Sequence, residues 1–579
     1  MKKYLPLIAF FILPTIYITP FLLTFSHISL SPLPPDFSSD IYLYLNYTAL
    51  NIDANGMTQN PWYHIQVPTN TFTYLKFGLL NLFSILNDII GNLTLTLIVW
   101  NWLWSAITFL CAYILFNKIN YSKNTILTIF GISLLFFFQV SDIPNYLKGF
   151  LNLDFSPHIL LPLQRTFFPQ IATPLLLLYL YFLINAFDNS KSIYWIALFI
   201  IQYIAFINFP YNTVVMGVTT FFLIVFSLIN KKTIPWKYLI IFATAALIAD
   251  LAFFMNGSAV VGDTHKSLLD MDFSRISNII GGTNIILLIL SFVVLALQNV
   301  NKSVKFTIAS VGISIVILQL ADLIFNPSLQ LTHHFAYFAN QVFAIVLFYI
   351  TVHLDRYFMS YKKVFNFTLS ACTLLLITIG LLASSAQAAA GLSKNRENYI
   401  LYRSLIQLEP AKDDLIIAPS LTVNDIATWL PLVYKSEILF SRNSEFLLPK
   451  SEEGNKIYWK REAIYLYLQG IDVKKLHDIL FSEDSSQVLI KRIIQVGQRF
   501  DLHTDNRFQM LQQVYSSLST HLERLEKDPQ VLKRFFSKYR RIILIDRNHE
   551  PIFRYHHISM VEKKRMEIDG FSIIVFENE

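Results

Sequence analysis

Two cysteines in 579 residues, Cys111 and Cys372, both in apolar segments, exclude a disulfide framework and a cysteine-based metal site. Charge is scarce as well. Asp, Glu, Lys and Arg make up 15% of the chain, where soluble domains carry roughly a quarter. The deficit is local: residues 392–579 hold 28 of the 46 basic and 26 of the 39 acidic residues. A soluble fold does not tolerate 391 residues so nearly free of charge, so most of this stretch must face something other than water. The net charge of +7 is no nucleic-acid signature, because the C-terminal part is close to neutral and short connections carry the excess. The C-terminal part also lacks a Gly-rich phosphate loop, a Gly-x-Ser-x-Gly elbow and a metal-ligand cluster.

What is present is a series of long hydrophobic runs. A bilayer core takes roughly 20 apolar residues per helix. Runs that fit are 4–25, 93–116, 125–140, 170–187, 193–208, 211–230, 237–256, 279–298, 306–325, 336–353 and 364–388. The first begins after Lys2 and Lys3, but Pro14, Pro20 and aromatic residues stand where a cleavage site would need small ones, so a retained anchor is expected. Basic residues in alternate connections give the orientation. Lys2, Lys3, Lys118, Lys123, Lys191, Lys231, Lys232, Lys237, Lys302, Lys305, Arg356, Lys362 and Lys363 fall on one side, with only Asp188 and Asp355 as acids. The other side carries Lys76, Lys148, Arg165, Lys266 and Arg275 against nine aspartates. The expectation is a polytopic α-helical membrane protein of about eleven spans, with an inside N-terminus and an extracytoplasmic α/β domain at 392–579.

The connections on the acidic side hold the candidate chemistry. The first, 26–92, opens on prolines and continues in a helical stretch from Asp40, on which Asp40, Tyr44 and Tyr47 share a face. Its apolar segment 73–90, broken by Lys76, Asn81, Asn87 and Asp88, reads as an amphipathic interfacial helix. The second, 141–169, brings Asp142, Asp154, His158 and Arg165. Later come His265, Lys266 and Arg275, then His333 and His334 before the tenth run, while Asp250 and Asp322 lie inside runs near their acidic-side ends. Carboxylates and cations meeting at one rim suit group transfer from a lipid-held substrate. A carboxylate takes the acceptor's proton and cations neutralise a departing phosphate.

Asp40-Ile-Tyr-Leu-Tyr44, followed by Ala49, Gly56, Asn60-Pro61-Trp62-Tyr63 and the Thr71–Leu75 lead into an interfacial helix, resembles the GT-C glycosyltransferase superfamily. Arg165-Thr-Phe-Phe-Pro169-Gln170 is similar to the helix entry of its bacterial members. The resemblance covers about residues 1–390 and implies a helical bundle with an interfacial active site under a periplasmic domain. It implies Asp40 as catalytic carboxylate and Asp142 or Asp154 as the acid of the second loop. It further implies a polyprenyl-phosphate-linked sugar donor, a glycan, lipid or protein acceptor, and a bacterial inner membrane. The Trp-Trp-Asp-Tyr-Gly signature of oligosaccharyltransferases is absent from 392–579, so transfer to Asn sequons is not expected. Asp36 and Asp40 are too far apart for an Asp-x-Asp pair; Asp270 and Asp272 form one, which leaves a divalent metal open.

Plainer roles compete for each residue. Asp40 could cap a helix, Asp36 could be a solvated turn residue, and Asp142 or Asp154 could be a cap. Arg165 could snorkel to lipid head groups, Lys266 could be a solvated loop charge, and His333 and His334 ordinary interface residues. Two other functions compete with transfer: a transporter or flippase for a lipid-linked saccharide, which would place ionisable groups near the midplane, and a non-catalytic scaffold. For the C-terminal part, strands are expected at 414–418, 437–440, 541–546 and 571–576 in a largely parallel sheet. Helices are expected at 398–408, 423–430, 457–469, 474–481, 486–496, 506–525 and 528–538.

Overall fold

Long apolar helices dominate the first two thirds of the chain, as the hydrophobic runs require. The computed structural model describes residues 4–19, 22–23, 57–59, 66–68, 80–138, 170–189, 191–208, 210–231, 234, 236–237, 239–240, 282–298, 300–320, 331–418, 426–434, 436–441, 452–481, 507–547, 554–558, 560–568 and 571–577. The chain divides into two units. One comprises Met1–His27, Phe77–Ser258 and His265–Leu392; the other comprises Ile28–Lys76, Ala259–Thr264 and Ser393–Glu579.

The helices of the first unit are α1 (Leu5–Tyr17), α2 (Leu80–Ile90), α3 (Leu93–Ile119), α4 (Thr125–Phe137), α5 (Ala172–Asn189) and α6 (Ser192–Asn208). They continue with α7 (Pro210–Ile229), α8 (Gly282–Ala296), α9 (Lys302–Leu320), α10 (Leu331–Tyr357) and α11 (Lys362–Ile406), the last of which runs on into the residues of the second unit. Ten of the eleven hydrophobic runs thus coincide with a helix; the seventh, 237–256, lies almost wholly outside the described residues. Among the described residues, five helices are long and apolar enough to cross a membrane: Leu93–Ile119, Tyr211–Ile229, Lys302–Leu320, Phe338–Tyr357 and Lys362–Ala386. Helices α1, α4, α6 and α8 are apolar but shorter.

Interhelical contacts give the helices two poles. Gln170, just before α5, donates Nε2 to Asn101 Oδ1 on α3 at 3.1 Å. Asn212 on α7 donates to the carbonyl of Ala172 at 3.0 Å, and Tyr211 meets Phe335 of α10 edge-on at 5.9 Å. The starts of α3, α5, α7 and α10 therefore lie together, and we call this pole A. The end of α1 joins them through the end of α4, since the Tyr17 hydroxyl donates to the Phe136 carbonyl.

Pole B gathers the other ends. Lys118 of α3 pairs with Asp188 of α5 at 3.2 Å, and Asn301, before α9, reaches Asp188 at 3.5 Å. The Arg356 guanidinium at the end of α10 stacks 3.8 Å from the Tyr121 ring. Asn124, the cap of α4, donates to Asn366 near the start of α11 at 2.8 Å. Helix α9 starts at pole B and rises about 1.5 Å per residue, which carries Gln319 toward pole A, where it accepts from Asn284 at the start of α8 at 2.7 Å. Direction thus alternates from α3 to α5 and again from α8 to α11, whereas α7 and α8 both start at pole A. Small residues let the helices approach: a Cβ on Gly131 would overlap the Phe348 ring, and one on Gly380 would overlap Phe137.

Of the amphipathic helix expected at 73–90, residues 73–79 lie outside the described residues and 80–90 are observed as α2. It buries Phe83 against Trp100 while Leu82, Ile85 and Ile89 stay exposed. Gly91, at φ +69°, makes the turn into α3, and Asn92 caps that helix by accepting from Leu95 N–H at 2.9 Å.

In the second unit, β1 (Met57–Gln59) and β2 (Gln66–Pro68) form an antiparallel pair. A five-stranded sheet contains β3 (Asp414–Ile417), β4 (Glu437–Ile438), β5 (Arg541–Arg547), β6 (Val561–Ile568) and β7 (Phe571–Glu577), in the order β4-β3-β5-β7-β6. Strands β4, β3 and β5 run parallel, but β7 is antiparallel to both β5 and β6. The expected largely parallel sheet is therefore mixed, and β6 is an added edge strand. Its run Val-Glu-Lys-Lys-Arg-Met-Glu-Ile is almost wholly exposed and hides in a hydrophobicity scan. Asp569-Gly570 before β7 is the residue pair favoured in tight hairpins, and could have exposed it.

The helices here are α12 (Ile426–Val433), α13 (Glu452–Leu468), α14 (Val473–Phe481), α15 (Arg507–Lys527) and α16 (Gln530–Phe536), all at expected positions. The helix expected at 486–496 falls outside the described residues, and the one at 398–408 is continuous with the preceding run in α11. Ala-Gln-Ala-Ala-Ala carries the helix onward, and Gly391 alone, at a cost of about 1 kcal/mol, does not stop it.

Candidate functional site

Among the described side chains, the polar contacts at pole A are made by neutral groups. Asn101 donates to its own helix at Leu97 O, 2.8 Å, while its Oδ1 receives Gln170. Gln170, Asn101 and Asn212 are all buried, as are Gln319 and, deeper on α10, Gln341. An amide both donates and accepts without a net charge to desolvate, so it can tie helices in an apolar interior at modest cost. Pole B is different: Lys118, Lys123, Lys191, Lys231, Lys302, Lys305, Arg356, Lys362 and Lys363 all lie at helix ends or turns there. Lys305 caps the end of α8, donating to Leu295 O at 3.2 Å and Leu297 O at 2.9 Å.

Most sequence candidates lie outside the described residues: Asp36, Asp40, Tyr44, Asp142, Asp154, Arg165, His265 and Lys266, as well as Asp250, Asp322, Asp270 and Asp272. His333 and His334 are in the first turn of α10, at pole A, with side-chain surroundings not described.

Chain connectivity limits where some of the rest can be. Arg165 is five residues before Gln170 in the chain. His333 and His334 precede Phe335, the residue that touches Tyr211, by one or two positions. The connections that carry the acids and bases, 26–92 and 141–169, each join helix ends at pole A, as does the link from α9 to α10. The described residues therefore bring together the entrances to these connections.

The amides of pole A, Gln170 apart, were missed in the sequence because a lone Asn or Gln in an apolar run is indistinguishable from a surface interruption. Asn101 lies eight residues inside its helix and Asn212 two. Among the described residues, no group of three His, Cys, Asp or Glu side chains could hold a metal ion.

The second unit handles charge by pairing. Fully buried Asp414 accepts from Arg541 at 2.6 and 3.2 Å, from Arg540 at 3.3 Å and from Ala411 N–H at 2.8 Å. The hydrogen bonds to Asp414 hold the Arg541 proton more firmly than usual. Arg461 pairs with Glu437 and donates to Ile438 O at 3.1 Å. Both pairs brace the β3–β4–β5 side of the sheet, a structural role. No protein-family model matches this chain, and no curated protein matches it either.

Proposed function

We propose that this chain is a GT-C-like membrane glycosyltransferase that moves a sugar from a polyprenyl-phosphate-linked donor to an acceptor on the extracytoplasmic side of a bacterial inner membrane. One observation supports it: the connections rich in aspartate and histidine join helices at pole A, while the described cations of the helical unit gather at pole B. Read by the positive-inside rule, pole B is cytoplasmic and pole A faces outward. The link from α7 to α8, residues 230–281, joins opposite poles, which accommodates one more crossing and brings the count to about eleven.

In this reading Asp40 takes the proton from the acceptor as it attacks the sugar carbon, with Asp142 or Asp154 assisting. Asp36 and Tyr44 flank the acceptor. Arg165, His265, Lys266, His333 and His334 stabilise the phosphate as it leaves. The neutral amides at pole A keep the helix ends together without competing for the substrate's charge.

The test is Asp40→Asn, expressed at wild-type abundance in a strain lacking the native gene. The expected result is loss of a surface glycan modification with accumulation of its lipid-linked precursor. An unchanged glycan profile would remove Asp40 from the mechanism. A variant that blocks appearance of the precursor on the outer face would favour a flippase.

A further inference from the structure

A second cluster of ionisable groups lies in the sheet-containing unit and includes none of the residues assigned to transfer. Helices α13 and α15 pack against each other and α16 follows α15. Lys456 and Lys460 are four apart on α13, and His521 and Arg524 three apart on α15, so each pair shares a face. Lys538 follows α16. The Phe535 ring gathers three cations: Lys538 Nζ lies 5.3 Å from its centroid, Arg461 Cζ 5.7 Å and Lys460 Nζ 5.9 Å. The two ammonium groups are thus no more than about 11 Å apart across one ring.

Among the described residues no acid forms an ion pair with Lys456, Lys460, His521, Arg524 or Lys538, although Glu462, buried on α13, is two positions from Lys460. Glu437 pairs with Arg461, Glu523 with Lys527 and Asp528 with Arg534, while Glu526 accepts from Val473 N–H. The charges that act on Lys460 are Lys538, Arg461 and Arg524, and those on His521 are Lys460, Arg524 and Lys456; all are cations. Burial and these neighbours push both groups below their ordinary pKa. A fold whose C-terminal part is close to electroneutral has therefore gathered five cations, none of them in an ion pair among the described residues, where α13, α15 and the end of α16 meet.

We infer that Lys456, Lys460, His521, Arg524 and Lys538 form a binding site for a phosphoryl anion. Convergent cations without an acidic partner repel one another until a multivalent anion neutralises them, and flexible ammonium groups suit phosphate oxygens as point charges. The site stands independently of the transferase reading, since it uses none of the same residues. A lipid headgroup and a soluble phosphate ester share the chemistry required.

The test uses the full chain in detergent, titrated with inorganic pyrophosphate by calorimetry. Saturable binding that weakens with salt is expected, along with a loss of at least about 10-fold in Lys456→Gln/Lys460→Gln/Lys538→Gln. These three lysines are exposed, so the fold tolerates the change. A control, Lys474→Gln/Lys475→Gln/Lys564→Gln, removes equal charge from other exposed positions and should leave the affinity within about twofold. Phosphatidylcholine nanodiscs with or without phosphatidic acid separate the sources. A lipid occupant suppresses the pyrophosphate isotherm only in discs containing phosphatidic acid, and a soluble one leaves it the same in both. Absence of saturable binding in both detergent and phosphatidylcholine discs, or equal losses in the two triple variants, overturns the inference.

Discussion

In the helical unit the described buried polar side chains are amides and hydroxyls apart from His353 and Asp355 near pole B, whereas around the sheet of the second unit they include paired charges. Several hydroxyls turn back on their own helices. Thr108 donates to Trp104 O at 2.8 Å, Thr220 to Met216 O at 3.0 Å, Ser291 to Leu287 O and Ser314 to Ser310 O at 2.7 Å. At these positions the helix satisfies the hydroxyl within itself, which suits segments surrounded by apolar material. In the sheet, Asp414 is satisfied only by residues distant in sequence, Arg540 and Arg541, and by a turn N–H. The difference teaches where each unit is brittle: the helices depend on close packing, and the sheet on a few ion pairs.

The largest expected effect comes from breaking the sheet's charge pair. Arg541→Met leaves Asp414 buried with its main partner gone, which costs roughly 3–5 kcal/mol. Hydrogen exchange of β5 and β7 in the full chain should accelerate accordingly, while exchange in α9 stays unchanged. Asp414→Leu together with Arg541→Met should recover much of the loss, because no orphan charge remains. Wild-type protection in Arg541→Met would show that the pair is incidental.

Next in size is a packing defect in the helices. Gly131→Ala drives a methyl into the Phe348 ring, on a face of α4 packed against α10. Overpacking of this kind costs about 1–3 kcal/mol. A thermal scan in detergent should register it as a lower midpoint; an unchanged midpoint would mean that α10 shifts freely, contrary to close packing.

A smaller effect ties the second unit to pH. Burial, and then Lys460, Arg524 and Lys456, hold His521 below the ordinary imidazole range. The unfolded chain therefore binds the proton more readily than the folded one, so stability is present above the unfolded pKa and is lost as pH falls through and below about 6.5. His521→Gln should flatten the pH dependence of sheet-unit exchange across that interval. Saturating pyrophosphate should do so as well if the cationic site is occupied.

What the sequence revealed, and what it hid, follows the same divide. Apolar runs placed ten helices because a run of about 20 residues has few alternatives in a bilayer. It also announced β3, β5 and β7, whose residues are nearly all buried on both faces. It hid β6, whose charged, exposed residues carry no hydrophobic pattern, and the break expected after residue 388, which Ala-rich sequence bridged. The poles were legible through the lysines. The amide contacts were not, because Gln170 and Asn101 are 69 positions apart and nothing local links them. The cationic site was equally silent, since its members come from three helical segments and lie among acids in the linear chain.

The smallest effect is the most telling for the helical unit. Gln170→Leu removes the 3.1 Å bond to Asn101 while keeping an apolar side chain of similar size. Asn101 retains its bond to Leu97 O, so no donor is stranded. Interhelical hydrogen bonds in such settings average only about 0.6 kcal/mol, so the thermal midpoint in detergent should move much less than in Gly131→Ala. If Gln170→Leu instead destabilises as strongly as Arg541→Met, the helices too depend on a few polar pairs, and the contrast between the units fails. If it leaves stability intact but abolishes the glycan phenotype, the amide acts at pole A by positioning the connection that carries Arg165. That outcome would separate what holds the helices together from what makes their shared end useful.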